Sequence, residues 1–258
     1  MFEKFEKYTL RINNSNYSFI NSLDFSEYYK EIYNYIYDPL DYKTQKKTIL
    51  GSKKVCSFCG ESNPKNLTDE IHVIPASFGN RWLFSIEECN ECNKKFGRNF
   101  EQNLAEMFAA NRIFSSIPKR KGFSKIQVPK TKSYIQPEEE GKIKLQTYED
   151  ENEFKIEYSS NNSAVITIPA APYYPIKAIK SLIHSLWLVI AQEKRKKYIK
   201  ILDWLDEKIE ILPFYYTVGF TPGPGLPSVG FTVWEKIKDN NSLTNLIIKF
   251  WGPLKTRG

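Results

Sequence analysis

ECNECNKKFG, residues 88–97, sets two cysteines two residues apart and follows the second at once with an asparagine, two lysines and a phenylalanine. The upstream stretch CSFCG, residues 56–60, repeats the cysteine spacing. All 4 cysteines of the chain, Cys56, Cys59, Cys89 and Cys92, belong to these two pairs. A two-residue gap lets one backbone knuckle present both sulfurs to a single tetrahedral ion. Thiolates are soft donors and select zinc over hard cations. The expectation is one structural Zn²⁺ per chain, held by all four sulfurs. Such a closed site keeps no open position and needs no catalytic role. Redox pairing is the other reading of paired cysteines. Beyond the second pair, Phe96, Phe100, Leu104 and Phe108 recur at near-helical spacing. They predict a helix from Asn90 or Asn93 to about Ala110.

Between the pairs lies TDEIHVIPASFGN, residues 68–80, with one of only 2 histidines in the chain. His72 sits in a short apolar, β-branched run closed by Pro75, and a Gly-Asn turn follows. Alone, a histidine in an apolar strand reads as a core residue. The residues around it change that reading. CSFCG, EIHVIP, FGN and ECNECNKKFG, in this order, resemble the HNH endonuclease superfamily in its CxxC-bearing branch, over about residues 50–105.

The resemblance implies an α+β protein with a zinc-stapled ββα-metal unit, a catalytic histidine ending the first strand and a helix beginning at the second CxxC. It implies a metal-dependent endonuclease that hydrolyses DNA, double-stranded by preference. His72 would be the general base, because an imidazole titrates near neutral pH. Asn93, matching the last signature residue, would offer its carboxamide oxygen to a hard cation, Mg²⁺ or Mn²⁺. Glu70 shares a strand face with His72 and would bind that cation or orient the imidazole. Glu101 resembles an acid of this branch and would join the cation. Asn80 is the nearest asparagine to the central signature position, and a catalytic role and a turn role both stay open for it. Lys94, Lys95, Arg98, Lys119, Arg120 and Lys121 would form a phosphate-tracking face. Ile71 stands where many family members carry an acid. That departure supports a second reading, a non-catalytic zinc-ribbon DNA-binding or interaction module with a decayed site. Small HNH proteins with a carboxy-terminal domain resemble effectors of bacterial antiphage or mobile-element systems.

The remaining sequence gives the frame. The 258 residues are 41% hydrophobic and 26% charged, with a formal net charge of +7 and a pI near 9.0. This composition is globular, and the basic surplus suits a polyanionic partner. The charged start, MFEKFEK, reads as no signal peptide. Ala178–Gln192 is too short for a membrane span and carries Lys180 and His184. The reading is a cytoplasmic protein, where reduced thiols favour metal over disulfides.

Residues 1–50 predict a strand or hairpin over YTLRINNSNYSFI and an aromatic helix from Phe25 to about Tyr37, packed on the nuclease unit at 51–117. Residues 118–140, with several prolines, a glycine and then runs of basic and acidic residues, read as a linker. Residues 141–258 read as a carboxy-terminal α+β domain for regulation, targeting or oligomerisation, meeting a second copy or a defence-system partner subunit. In it KIKLQTYE, EFKIEYS and AVITIPA predict strands, and Ser160–Ser163 a turn. Residues 175–206 predict amphipathic helices, with His184 partly buried and Lys194–Lys197 facing solvent near a helix end. FYYTVGFT, the turn PGPGLP, VGFTVWE and LTNLIIKFWG follow.

Overall fold

A computed structural model describes residues 5–11, 29–41, 43–51, 55–119, 122–128, 130–138, 142–148, 154–159, 163–208, 229–237 and 246–251. The amino-terminal part holds β1 (Phe5–Arg11) and β2 (Tyr29–Tyr37). The aromatic helix expected up to Tyr37 is therefore a strand. Its tyrosines at 33, 35 and 37 alternate with the exposed Asn34 and Ile36, a period of two that a pleated strand satisfies and a helix does not. Residues 25–28, the start of that expectation, lie outside the described residues.

The motif region contributes β3 (Thr48–Leu50), β4 (Ile71–His72) and β5 (Leu83–Ser85). Next come α1 (Asn90–Phe96), a π-helical turn at Gly97–Glu101, α2 (Gln102–Met107) and α3 (Ala109–Phe114). The expected helix over 90–110 is present, and the π-turn interrupts it. Downstream lie β6 (Ile126–Gln127), β7 (Tyr134–Pro137), β8 (Ile143–Gln146), β9 (Lys155–Ser159) and β10 (Ser163–Tyr173). They are followed by α4 (Pro175–Val189), a 3-10 helix at Gln192–Tyr198, α5 (Lys200–Leu205), β11 (Val229–Lys236) and β12 (Leu246–Trp251).

Among the described residues four three-stranded sheets result, in the orders β1-β10-β9, β12-β11-β2, β3-β5-β4 and β6-β7-β8. β1 finds its partner in β10, with Tyr8 opposite Ile168. The second half of the expected amino-terminal hairpin, like FYYTVGFT, PGPGLP and most of the 160–163 turn, lies outside the described residues. β2 joins β11, and Tyr33 stacks on Phe231 with centroids 5.7 Å apart. A Cβ at Gly230 would lie 2.0 Å from the Tyr35 carbonyl oxygen, so glycine is what lets β2 come this close.

Residues 118–140 are a folded part of the molecule, not a spacer. β7 pairs with β6 on one side and β8 on the other, and Ile126, Val128 and Ile135 are buried with Ala109, Ile113 and Phe154. Within this stretch Gly122 and Lys130 sit at positive φ, 65° and 66°. The expected boundary also does not divide two cores. One cluster joins Val73, Phe78, Phe96 and Leu104 of the motif region to Ala178, Leu186, Trp187, Trp204 and Phe231. Burying a Val, Leu or Phe side chain of this cluster contributes about 1.5–3 kcal/mol. In the Lys194–Lys197 run, Lys196 and Lys197 are exposed at a helix end as expected, while Arg195 is buried and Lys194 half-buried. Lys194, Lys197 and the Tyr198 hydroxyl converge on Glu235, and their hydrogen bonds hold its carboxyl down at about 2. No described helix is long and apolar enough to cross a membrane.

Candidate active site and metal centre

The first knuckle is a tight turn closed by backbone hydrogen bonds. The Cys56 N–H donates to the Glu61 carbonyl at 2.8 Å, and the Gly60 N–H donates to the Cys56 carbonyl at 2.8 Å. Gly60 adopts a φ of 78°, which glycine reaches at little cost. The second pair opens α1. Cys89 is its N-cap, with its sulfur accepting from the Cys92 N–H at 3.5 Å. The four sulfurs lie within 4.8 Å of one another, and Cys59 Sγ is 3.7 Å from Cys89 Sγ. Tetrahedral zinc–sulfur bonds of about 2.3 Å set sulfurs roughly 3.8 Å apart. The donor set fits zinc in number, softness and spacing. Hydrogen bonding from Cys92, then from backbone N–H groups, holds the Cys56 thiol down at about 4, against the opposing effect of burial. The same contact with Cys56, with burial, drives Cys92 up.

β4 and β5 pair antiparallel, with His72 opposite Phe84, and α1 completes a ββα unit. β4 ends at His72, and Pro75 then leads into a 3-10 turn at Ala76–Phe78. The imidazole packs at 4.6 Å on the Phe84 ring. A cavity of about 650 Å³ opens beside it, lined by Thr68, Asp69, Glu70, Ile71, His72, Ala76, Asn93 and Glu101. Four of the residues singled out in the sequence, His72, Asn93, Glu70 and Glu101, thus share one cavity.

The π-turn explains how Glu101 gets there. Eight residues of regular α-helix would turn Glu101 about 80° away from Asn93. A π-bulge inserts one residue without advancing the face, which cuts the offset to roughly 20°. Burial pushes the Glu101 carboxyl up; the His184 imidazole pulls it back, and Glu88 adds to the push. Glu70 forms an ion pair with Lys47, whose ammonium lies 5.1 Å from the Phe84 ring centroid. Asp69, absent from the sequence candidates, lines the same cavity; its signal was an acid three residues before His72.

Asn80 is not at the cavity. Its side chain is 1% exposed and braces the turn between β4 and β5. The amide donates to the Ile74 and Leu83 carbonyls, at 2.8 and 2.9 Å. The carbonyl accepts from the Trp82 and Leu83 N–H groups, at 3.1 and 3.0 Å. Its hydrogen-bonding capacity is spent on backbone, which corrects the catalytic option and leaves the turn role. A buried group left without its partner costs about 1–3 kcal/mol. Asn80→Ala is accordingly expected to lower stability by about 2–4 kcal/mol in urea unfolding, with zinc content unchanged. A midpoint equal to wild type would contradict the brace.

The basic residues divide. Lys94 pairs with Glu91 at 2.9 Å, and Lys95 reaches Asp206 at 2.8 Å, so Lys95 docks the carboxy-terminal half instead of facing a phosphate freely. Arg98 and Lys119 are exposed. Arg120 and Lys121 lie outside the described residues. The sequence reading also missed a buried pair. His184 Nε2 and Glu88 Oε1 are 3.0 Å apart, with side chains 4% and 0% exposed. His184 is fully interior, where a partly buried helix residue was expected.

Residues 56–109 match the family model described as HNH endonuclease. No curated protein and no solved structure matches the chain.

Proposed function

We propose that this protein is a metal-dependent endonuclease that hydrolyses DNA phosphodiester bonds, with His72 as general base. The observation that carries the reading is the convergence of His72, Asn93 and Glu101 on one cavity, inside the segment that matches the HNH family. His72 takes the proton of the attacking water at an imidazole nitrogen, and its tilted packing on the Phe84 ring holds it in place. Asn93 and Glu101, with Asp69 or Glu70, supply hard oxygen donors suited to one Mg²⁺ or Mn²⁺. When bound, that cation neutralises charge developing on the phosphate. Cys56, Cys59, Cys89 and Cys92 hold structural zinc and fix strand β4 against α1, which sets the separation of His72 and Asn93. Arg98 and Lys119 contribute phosphate contacts, with Arg120 and Lys121 extending the basic run.

The second reading, a non-catalytic zinc module on DNA, draws support from the Lys47–Glu70 ion pair and from Ile71 at a position where the family often carries an acid. A role in bacterial antiphage or mobile-element defence rests on sequence resemblance alone. One digest separates the readings. Supercoiled DNA incubated with the zinc-loaded protein should be cut when Mg²⁺ or Mn²⁺ is added and stay intact without either. DNA that is bound but never cut, with either ion, favours the module.

A further inference from the structure

Three side chains from the carboxy-terminal half reach the knuckle and the turn that leads into α1. Trp187 donates its indole N–H to the Ser57 carbonyl at 3.3 Å, and Arg195 Nη2 donates to Glu87 Oε2 at 2.7 Å. The third is His184, on Glu88. It also touches both the knuckle and the helix. Its ring stacks on Phe58 at 4.9 Å and 17°, and meets Phe96 of α1 at 4.8 Å. It also interacts electrostatically with Glu101.

Glu88 depends on this contact. The carboxylate is wholly buried, and its second oxygen, Oε2, has no partner among the described residues. A buried carboxylate needs a hydrogen-bonding partner, so the imidazole fixes where Glu88 sits. Glu88 directly precedes Cys89, the N-cap of α1, so its position sets the start of the helix that carries Asn93.

We infer that His184 is a positioning residue for the cation site: it latches the helical segment bearing Asn93 and Glu101 to the zinc knuckle, and the site is complete only with α4 docked. The inference rests on the reading of Asn93 and Glu101 as cation-holding residues. His184 lies outside the matched segment, so the family match does not assign it this role. A displacement of about 1 Å at such a site is enough to cost on the order of a hundredfold in rate.

The test uses the full zinc-loaded chain and Mn²⁺ as probe, with free Mn²⁺ read by electron paramagnetic resonance. His184→Phe keeps a ring between Phe58 and Phe96 and removes the donor to Glu88. It is expected to weaken Mn²⁺ binding tenfold or more while zinc content and metal-free affinity for DNA stay at wild-type values. His184→Gln restores a donor at the reach of Nε2 and should recover affinity to within threefold. Wild-type Mn²⁺ affinity in the Phe variant overturns the latch. Should that variant not fold by circular dichroism, His184→Asn, too short to reach Glu88, must show the same weakening; wild-type affinity there overturns the latch equally. Cleavage is not needed for this result. A wild-type protein that binds Mn²⁺ without cutting DNA overturns the nuclease reading, while the variants' affinities still decide the latch. A wild-type protein that binds no Mn²⁺ overturns both.

Discussion

His72→Ala is expected to slow single-turnover cleavage of supercoiled DNA by about a thousandfold, within the span that a positioned general base contributes. That factor corresponds to about 4 kcal/mol of barrier. The effect should be confined to chemistry, because His72 is only half-buried and ends a two-residue strand. Its neighbours Val73 and Ile74 carry the core contacts of this stretch and remain in place. Zinc content, melting temperature and affinity for DNA should therefore stay near wild type while cleavage is lost. Activity retained by the variant would remove His72 as the base. Loss of DNA binding together with cleavage would reassign the imidazole to substrate contact.

How much of this site the sequence discloses follows from how local each cue is. The two CxxC knuckles are local, each closed within a few residues, and the sulfurs come together as their spacing requires. His72 at the end of a strand is equally local, because Pro75 stops that strand. Glu101 was a candidate only through resemblance. Its approach to Asn93 depends on a π-turn, and no residue in GRNFE marks one. The pairing of His184 with Glu88 spans nearly a hundred positions, and neither residue carries a local cue.

The errors in the fold have the same origin. YKEIYNYIY holds enough tyrosine and isoleucine to cover a helix or to alternate along a strand. Pairing with β11, some two hundred positions away, selects the strand. The stretch at 118–140 looked like a spacer because turns and short strands both use Gly, Pro and charged residues. Ile126, Val128 and Ile135 are the buried minority that make it part of the fold. The carboxy-terminal half carries no motif of its own. Its share in the core emerges only when α4 lies against Phe96 and Phe100.

Zinc removal provides the second large effect, and its pattern distinguishes metal binding from packing. Structural zinc on thiolates contributes about 10 kcal/mol or more of apparent folding free energy. Stripping it should lower the melting temperature by roughly 20 °C, since each kcal/mol moves a domain of this size by about 2–4 °C and part of the loss is offset by surviving core contacts. The loss should not stay within the knuckles, because Phe96 and Leu104 of the stapled helical segment share a cluster with Leu186 and Trp187. Serine substitutions give the sharper comparison. Cys56 and Cys89 are 2% exposed, whereas Cys59 is exposed. If the cysteines mattered only as small buried hydrophobes, Cys89→Ser would cost stability and Cys59→Ser almost none. If they share one ion, each substitution removes a quarter of its ligands, and both variants should melt early and bind less than one zinc per chain. Added Zn²⁺ should restore the chelated wild type, and added Mg²⁺ should not, because a hard cation prefers oxygen donors. A wild-type protein that carries no zinc, with Cys59→Ser melting alongside it, would mean that the four sulfurs are neighbours without a shared ion, and that packing alone sets the distance between His72 and Asn93.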